Sequence, residues 1–241
     1  MSTAEPAGRL RADSLAEDVF GLNARGLRTI WTTIVRPRDV FGAARDPHWR
    51  NRYTPSVRLV FFLYGLMQFL RAVFAPEDGA MVGNVAAQLL AADPTIGEEA
   101  ARAAASRYLI ASFAVLPFVW TGGQALLALV TRVWGRGVSP VLRVRLHLLA
   151  LVPGTAFGLL SFGILPLLPA SGAGFGLFSF VSYVVMMLID LVTAFRGGVA
   201  GRTTAIRAAK SALFVIIVHG IGLTLALGAS ALIVLVLPVE L

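Results

Sequence analysis

Apolar residues are concentrated in five long runs, and the segments between the runs carry most of the charge. A helix needs about 20 apolar residues to cross the hydrocarbon core of a bilayer, which is about 30 Å thick. The runs meet or approach that length and predict transmembrane helices over residues 57–75, 108–131, 146–168, 174–195 and 212–237. The first is the weakest, because Arg58 and Arg71 lie near its ends. Long arginine side chains at such positions can reach the lipid headgroups.

The composition is that of an integral membrane protein. Of the 241 residues, 57% are hydrophobic and 14% are charged, whereas a soluble domain carries about a quarter charged residues. The net charge of +8 is concentrated between the apolar runs, so it indicates membrane orientation and not nucleic-acid binding. The absence of cysteine excludes disulfides, thiol nucleophiles and cysteine-ligated metals. We expect no cofactor.

The positions of the basic residues predict how the helices are oriented. Cytoplasmic segments of membrane proteins are enriched in Lys and Arg. With five crossings and a cytoplasmic N-terminus, 18 of the 21 basic residues fall on the inner side. These are ten arginines up to Arg58, then Arg132, Arg136, Arg143 and Arg145, and then Arg196, Arg202, Arg207 and Lys210. Twenty arginines against one lysine favour GC-rich, bacterial coding. We therefore expect a multi-pass protein of the cell inner membrane, with its C-terminus outside.

Residues 1–56 are predicted to form a basic cytoplasmic arm, since they are too few and too polar to bury a core of their own. Within the arm, apolar residues recur with the spacing of one helix face, and arginines lie beside them. These candidate membrane-surface contacts are Arg25, Leu27, Arg28, Ile30, Trp31, Ile34, Val35 and Arg36. Such a helix lies flat on an anionic inner leaflet. The alternative is a helix that packs on the inner loops of the protein itself.

The remaining residues, 57–241, are predicted to form an all-α bundle of the five spans. The outer loop between the first two spans, residues 76–107, contains two helical patterns separated by Asp93-Pro94. Thr95 and Glu98 have the spacing of a capping box. We expect two short outer helices in this loop. The other connections are short, which favours sequential antiparallel neighbours.

Polar residues inside the predicted spans are the candidates for a functional site. Gln124, Asp190 and His219 lie at similar depth in the inner leaflet. Ionisable groups at that depth are costly and face the bundle interior or a water-filled cavity, so an Asp190 and His219 pair is predicted to bind a proton or a cation. The structural alternative is that Asp190 reaches the interface or an arginine and that His219 bonds a backbone carbonyl. The sparse polar lining favours this alternative.

Two further patterns bear on packing and on enzyme activity. Gly154 and Gly158 form the one GxxxG pattern well inside a span, and small residues at that spacing allow two helices to approach closely. We interpret the pair as packing within the bundle. The sequence contains no P-loop, GxSxG or HExxH motif. An enzyme is not expected.

Three short segments carry a family resemblance. They are Arg36-Pro37-Arg38-Asp39-Val40-Phe41, Trp134-Gly135-Arg136-Gly137 and Ala150-Leu151-Val152-Pro153. Together with the basic stretch at residues 202–210, they resemble the bacterial branch of the Yip family of five-span membrane proteins. The resemblance implies five spans and a cytoplasmic N-terminus, and eukaryotic members interact with Rab GTPases in vesicle traffic. Residues 51–58 are equally similar to a bacterial multi-span inner-membrane family of unknown function.

These patterns predict a membrane scaffold or protein-interaction component. Its expected partners are the lipid bilayer with its anionic headgroups, and another membrane protein or a second copy of the chain. Nucleic acid is not among them. The alternative function is a small transporter or channel component that uses the intramembrane polar site.

Overall fold

The computed structural model describes residues 24–73, 79–164 and 172–236. Within those ranges the chain forms eight α-helices and no β-strand. The helices are α1 (Ala24–Val35), α2 (Pro37–Ala43), α3 (Ser56–Val73), α4 (Ala80–Ala92), α5 (Glu98–Val130), α6 (Pro140–Ile164), α7 (Gly172–Gly197) and α8 (Thr204–Val236). A single tight turn at Trp49–Asn51 precedes α3. The predicted all-α fold is confirmed for the described residues.

Four of these helices, α5 to α8, are long and apolar enough to cross a membrane. This agrees with a multi-pass membrane protein. Helix α3 is shorter: its 18 residues extend about 27 Å at 1.5 Å per residue. Its apolar stretch Ser56–Leu70 is shorter than the apolar stretches of the other four.

The outer loop differs from the predicted pair of short helices. Helix α4 is separate, but the residues from Glu98 onward belong to the same 33-residue helix as the second span. The run of alanines after Glu99 favours this continuity, because alanine is the strongest helix former and no proline interrupts the helix before Pro117. The capping box also differs, since Gly97 is the N-cap and the Thr95 hydroxyl bonds Asp93 instead.

Helix α6 lies at the centre of the bundle. Ten consecutive residues, 146–155, are buried, so neighbours surround this helix on every side. Its most extensive packing is against α3 and then α7. Helices α3 and α6 both begin at the end where residues 37–53 pack, and so they run in the same direction. Consecutive long helices are in contact, as expected of sequential neighbours, but the largest contact joins two parallel helices that are not consecutive.

The N-terminal residues and two loops meet at one end of the bundle. Phe41 of α2 lies against Gly197 at the end of α7 and 5.5 Å from the ring of Trp134. The loops 131–139 and 198–203 are joined by a hydrogen bond from Ala200 N–H to Val133 O of 2.9 Å. The Arg145 guanidinium stacks over Trp49 at 4.6 Å. We call this the arm end of the bundle.

A turn at the arm end directs a tryptophan into the core. Gly135 and Gly137 have φ of +122° and +83°, a region that other residues rarely adopt. This turn leaves Trp134 2% exposed between Phe41 and Phe214, each with its ring centroid 5.5 Å away. The apolar core is therefore built around the junction of the arm, the loop and α8.

Helix α4 packs at the opposite end of the bundle. Its buried residues Met81, Val82 and Ala86 contact Ala101 and Ala105, on the first turns of α5. The small alanines allow the two helices to approach closely. Helix α5 therefore extends beyond the bundle at this end, and α4 covers part of the extension.

We expect Gly197→Ala to lower the free energy of unfolding by about 1–3 kcal/mol, because the new methyl group would press on the buried Phe41 ring. Gly220→Ala is the matched control, since a Cβ at that helical position meets nothing within 4 Å. Reversible unfolding of the purified protein in mixed micelles measures both variants. Equal stability of the two variants would contradict the close packing of Phe41 on α7.

Candidate functional site

Asp190 and His219 form a buried polar pair between α7 and α8. His219 Nε2 lies 3.0 Å from Asp190 Oδ2, and the two residues are 8% and 2% exposed. His219 Nδ1 lies 3.2 Å from the Tyr183 hydroxyl. Tyr183 and Asp190 are seven residues apart on α7 and so lie on one helix face. The structure thus adds Tyr183 to the two residues that the sequence singled out.

Asp190 is seated against the backbone of α6. A Cβ at Gly154 would collide with the Asp190 carboxylate, so this contact requires glycine. The second carboxylate oxygen, Oδ1, is buried against Gly154 and has no hydrogen-bond partner of normal geometry among the described residues. Of the predicted packing pair, Gly154 lies against the Asp190 side chain of α7, and Gly158 is buried in the same helix.

The pair forms part of the wall of a cavity of about 200 Å³. All five helices from α3 and α5 to α8 contribute lining residues. Tyr64 of α3 and Trp120 of α5 form one wall, with their rings stacked 4.8 Å apart and 5° from parallel. Thr155 and Tyr183 add hydroxyl groups. Asp190 lies seven residues before the arm end of α7, about 10 Å along the helix.

Among the described residues, the cavity lining has a carboxylate and no permanently charged basic side chain to neutralise it. Its titratable lining residues are Tyr64, Tyr183, Asp190 and His219, and neither Lys nor Arg is among the lining residues. With one proton shared between them, Asp190 and His219 are neutral as a pair. Without that proton they carry one negative charge, whose burial is costly unless a cation compensates it.

Gln124 belongs to a neighbouring cluster and does not line the cavity. Its Oε1 lies 3.0 Å from His147 Nε2, and its Nε2 donates to Val218 O at 3.1 Å. Val218 immediately precedes His219, so the two polar clusters are linked through α8. The structure therefore brings two of the three predicted polar residues together and places the third in the adjacent layer.

The predicted contacts of the arm are arranged with their apolar side outward. The α1 residues that pack inward are Gly26, Thr29 and Thr33, and the Thr29 hydroxyl accepts a hydrogen bond of 2.9 Å from Thr54 N–H. The outward residues are Leu27, Arg28, Trp31, Ile34, Val35 and Arg36, whereas Ile30 is half-buried and Arg25 bonds Arg50 O. Trp31 is 68% exposed.

The inward face of α1 is polar, but its threonine hydroxyls find hydrogen-bond acceptors within the helix. The Thr29 and Thr33 hydroxyls donate to the carbonyls of Arg25 and Thr29, at 2.7 Å and 2.6 Å. Helix α1 therefore contacts the protein with its threonines and leaves Trp31 and most of its aliphatic side chains outside.

Removing both residues of the buried pair should cost less stability than the sum of the two single removals. We expect His219→Ala to lower the free energy of unfolding by about 2–4 kcal/mol, because it leaves the Asp190 carboxyl without its donor. Asp190→Asn should then cost less in the His219→Ala background than in the original protein, by about 1–3 kcal/mol. Unfolding in mixed micelles gives the four values. Tyr183→Phe is the control, at about 1 kcal/mol or less, and strictly additive costs would contradict a direct pair.

The described residues contain no group of three or more His, Cys, Asp or Glu that is arranged to hold a metal ion. Comparison with known proteins gives no relative from which a role for the polar cavity could be taken. No protein-family model matches the chain, and neither a curated protein nor a solved structure is detectably similar to it. The resemblance to the Yip family stays a prediction.

Proposed function

We propose that this chain is a five-span protein of the bacterial inner membrane that exchanges a proton for a monovalent cation at Asp190 and His219. Its role is that of a small transporter or channel component. The observation that carries the proposal is a buried carboxylate that lines a cavity together with His219 and without any lysine or arginine.

The exchange follows from the charge of the cavity. In the absence of a cation, the Asp190 and His219 pair keeps one proton, because losing it would leave a net negative charge in a bundle of apolar helices. A cation that enters the cavity supplies the missing positive charge. The pair can then release its proton, and the total charge within the bundle is unchanged. Proton and cation therefore compete for one site.

The structural alternative for these residues has less support. In that alternative, Asp190 would reach the inner interface or pair with an arginine, and His219 would bond a backbone carbonyl, so that each group is satisfied separately. In the described residues the carboxylate bonds His219, and the two residues line a cavity. A purely structural pair does not need the empty volume.

The cavity also supports the assignment of α3 as the fifth span. Tyr64 and Met67 of α3 line the same cavity as residues of α5 to α8, so α3 occupies the same depth in the bundle. The arm end carries the basic loops, and α4 lies at the other end. Because cytoplasmic segments of membrane proteins are enriched in arginine, we assign the arm end to the cytoplasmic side.

The exposed stripe of α1 supports a second role at the cytoplasmic surface. Trp31, Leu27 and Ile34 would be costly to leave in water, whereas the interfacial region of a bilayer accepts such side chains and anionic headgroups attract the neighbouring Arg28 and Arg36. The arm then fixes the inner ends of the bundle to the leaflet. A scaffold or protein-interaction component would use the same surface, and this is the second candidate function.

Adding a binding cation to the purified protein should release protons, close to one for each cation bound. The apparent affinity should rise by about tenfold per pH unit wherever the pair is protonated in the free protein, because a proton must leave before the cation binds. Calorimetry in two buffers of different ionisation enthalpy measures the proton number for Na⁺, K⁺ and organic ammonium ions.

In the same measurement, Asp190→Asn should abolish both cation binding and proton release. Trp31→Leu is the control and should retain both, since Trp31 lies on the arm outside the cavity. The exchange proposal fails if no cation releases a proton from the folded original protein.

The chain has no cysteine, so single cysteines report the orientation of the helices. We expect a membrane-impermeant maleimide to label Glu99→Cys in intact spheroplasts and Arg136→Cys only after permeabilisation, because the two positions lie at opposite ends of the bundle. Trp31→Cys should resist the water-soluble reagent even then, whereas Arg38→Cys should react. Labelling of Glu99→Cys and Arg136→Cys from the same side would rule out the five-span topology.

A further inference from the structure

We propose that the cation taken up by the cavity is a protonated organic amine with a small apolar group, about the size of a single aromatic ring. This inference rests on the exchange site proposed above and adds the chemical class of its ligand. It is carried by the aromatic wall, by the Asp190 carboxylate and by the volume of the cavity.

The aromatic wall favours an organic cation. Tyr64, Trp120 and Tyr183 all line the cavity together with Asp190, and the rings of Tyr64 and Trp120 are stacked on each other. The face of an aromatic ring attracts an ammonium group, most strongly for tryptophan and in desolvated sites. Met67 and Met186 supply flexible apolar contacts that adapt to the remainder of the ligand.

The Asp190 carboxylate favours an ammonium group that carries N–H donors. Oδ1 is buried against Gly154, and Oδ2 is bonded to His219. Each carboxylate oxygen has two lone pairs, so a primary or secondary ammonium can share Oδ2 with His219 in a charge-assisted hydrogen bond, which is stronger than a neutral one. A quaternary ammonium has no such donor and should bind more weakly.

The same lining is unfavourable for a small inorganic ion. Hard cations are held by several oxygen ligands. Apart from Asp190, the oxygen atoms among the lining side chains belong to Tyr64, Thr155 and Tyr183. The Thr155 hydroxyl donates to Leu151 O at 2.7 Å, and the Tyr183 hydroxyl is hydrogen-bonded to His219. One carboxylate oxygen and few hydroxyls do not replace the hydration shell of Na⁺ or K⁺.

The volume sets the size of the ligand. The cavity is about 200 Å³, and an apolar protein cavity of about 150 Å³ is known to accommodate benzene. A ring with a one-carbon ammonium arm therefore fits, with its nitrogen at Asp190 and its ring beside Trp120. The charge balances, because the ammonium enters with its proton and one proton leaves the Asp190 and His219 pair.

Matched ligands test this inference on the original protein without any substitution. Benzylammonium, benzyl alcohol, benzyltrimethylammonium, Na⁺ and K⁺ are titrated into the purified protein in nanodiscs, and calorimetry in two buffers gives affinity and proton release. We expect benzylammonium to bind saturably with release of about one proton. Benzyl alcohol and the two metal ions should show no saturable binding, and the quaternary ion should bind at least several-fold more weakly.

Two variants identify the wall that binds the ligand. Trp120→Leu should weaken benzylammonium binding by about 3- to 30-fold, the range of a cation–π contact, whereas Trp120→Phe should retain most of the affinity. The control is Trp31→Leu, which should leave binding unchanged. If both Trp120 variants unfold, the comparison of ligands on the original protein decides the question alone.

The outcomes separate the two proposals. Proton release by Na⁺ or K⁺ with no effect of benzylammonium would overturn the amine inference and leave the exchange site standing. Equal binding of benzyl alcohol and benzylammonium would overturn the amine inference, since the cavity would then be a neutral apolar site. Absence of proton release with every cation would overturn both.

Discussion

Burial of one carboxylate in an apolar helical bundle is the constraint on which the site depends. Asp190 lies among apolar helices, which provide few groups that stabilise a charge. Two features compensate for this. His219 bonds one oxygen, and the missing side chain of Gly154 lets the carboxylate lie directly against α6. Neither compensation supplies a permanent positive charge. The protonation of the pair therefore determines whether the bundle is neutral.

Helix α1 of the N-terminal arm faces the bundle with its polar side, which is the reverse of an amphipathic helix on a soluble protein. A soluble amphipathic helix turns its apolar stripe toward the core, whereas α1 turns its threonines inward and its stripe outward. The threonine hydroxyls donate to carbonyls of their own helix. The polar face can therefore pack inward without unsatisfied donors. The two expectations for this helix thus describe two faces of one element, because α1 packs on the bundle and also exposes an apolar surface.

The amino-acid pattern was sufficient for the helical fold and for placing Asp190 and His219 at a similar depth, although the sparse polar lining favoured separate partners for the two residues. Hydrophobic runs and depth along each helix carry that information, because both follow from the rise of 1.5 Å per residue. Other features were not accessible in this way. The position of Gln124 beside His147 depends on how α5 and α6 are rotated about their axes, and the alignment of α3 with α6 depends on packing between helices distant in the chain. The spacing of Tyr183, seven residues before Asp190, is visible in the sequence. However, a lone tyrosine in an apolar helix does not indicate a site until the partner of the aspartate is known.

The burial of α6 has a consequence for how the protein is made. Of the four helices that are long enough to cross a membrane, α6 is the least hydrophobic, and it is also the one most enclosed by its neighbours. A segment that is largely shielded by its neighbours in the finished bundle needs less lipid affinity of its own. Its partitioning as an isolated helix is correspondingly weak, so its stable integration depends on packing against α3, which is made before it, and α7, which is made after it.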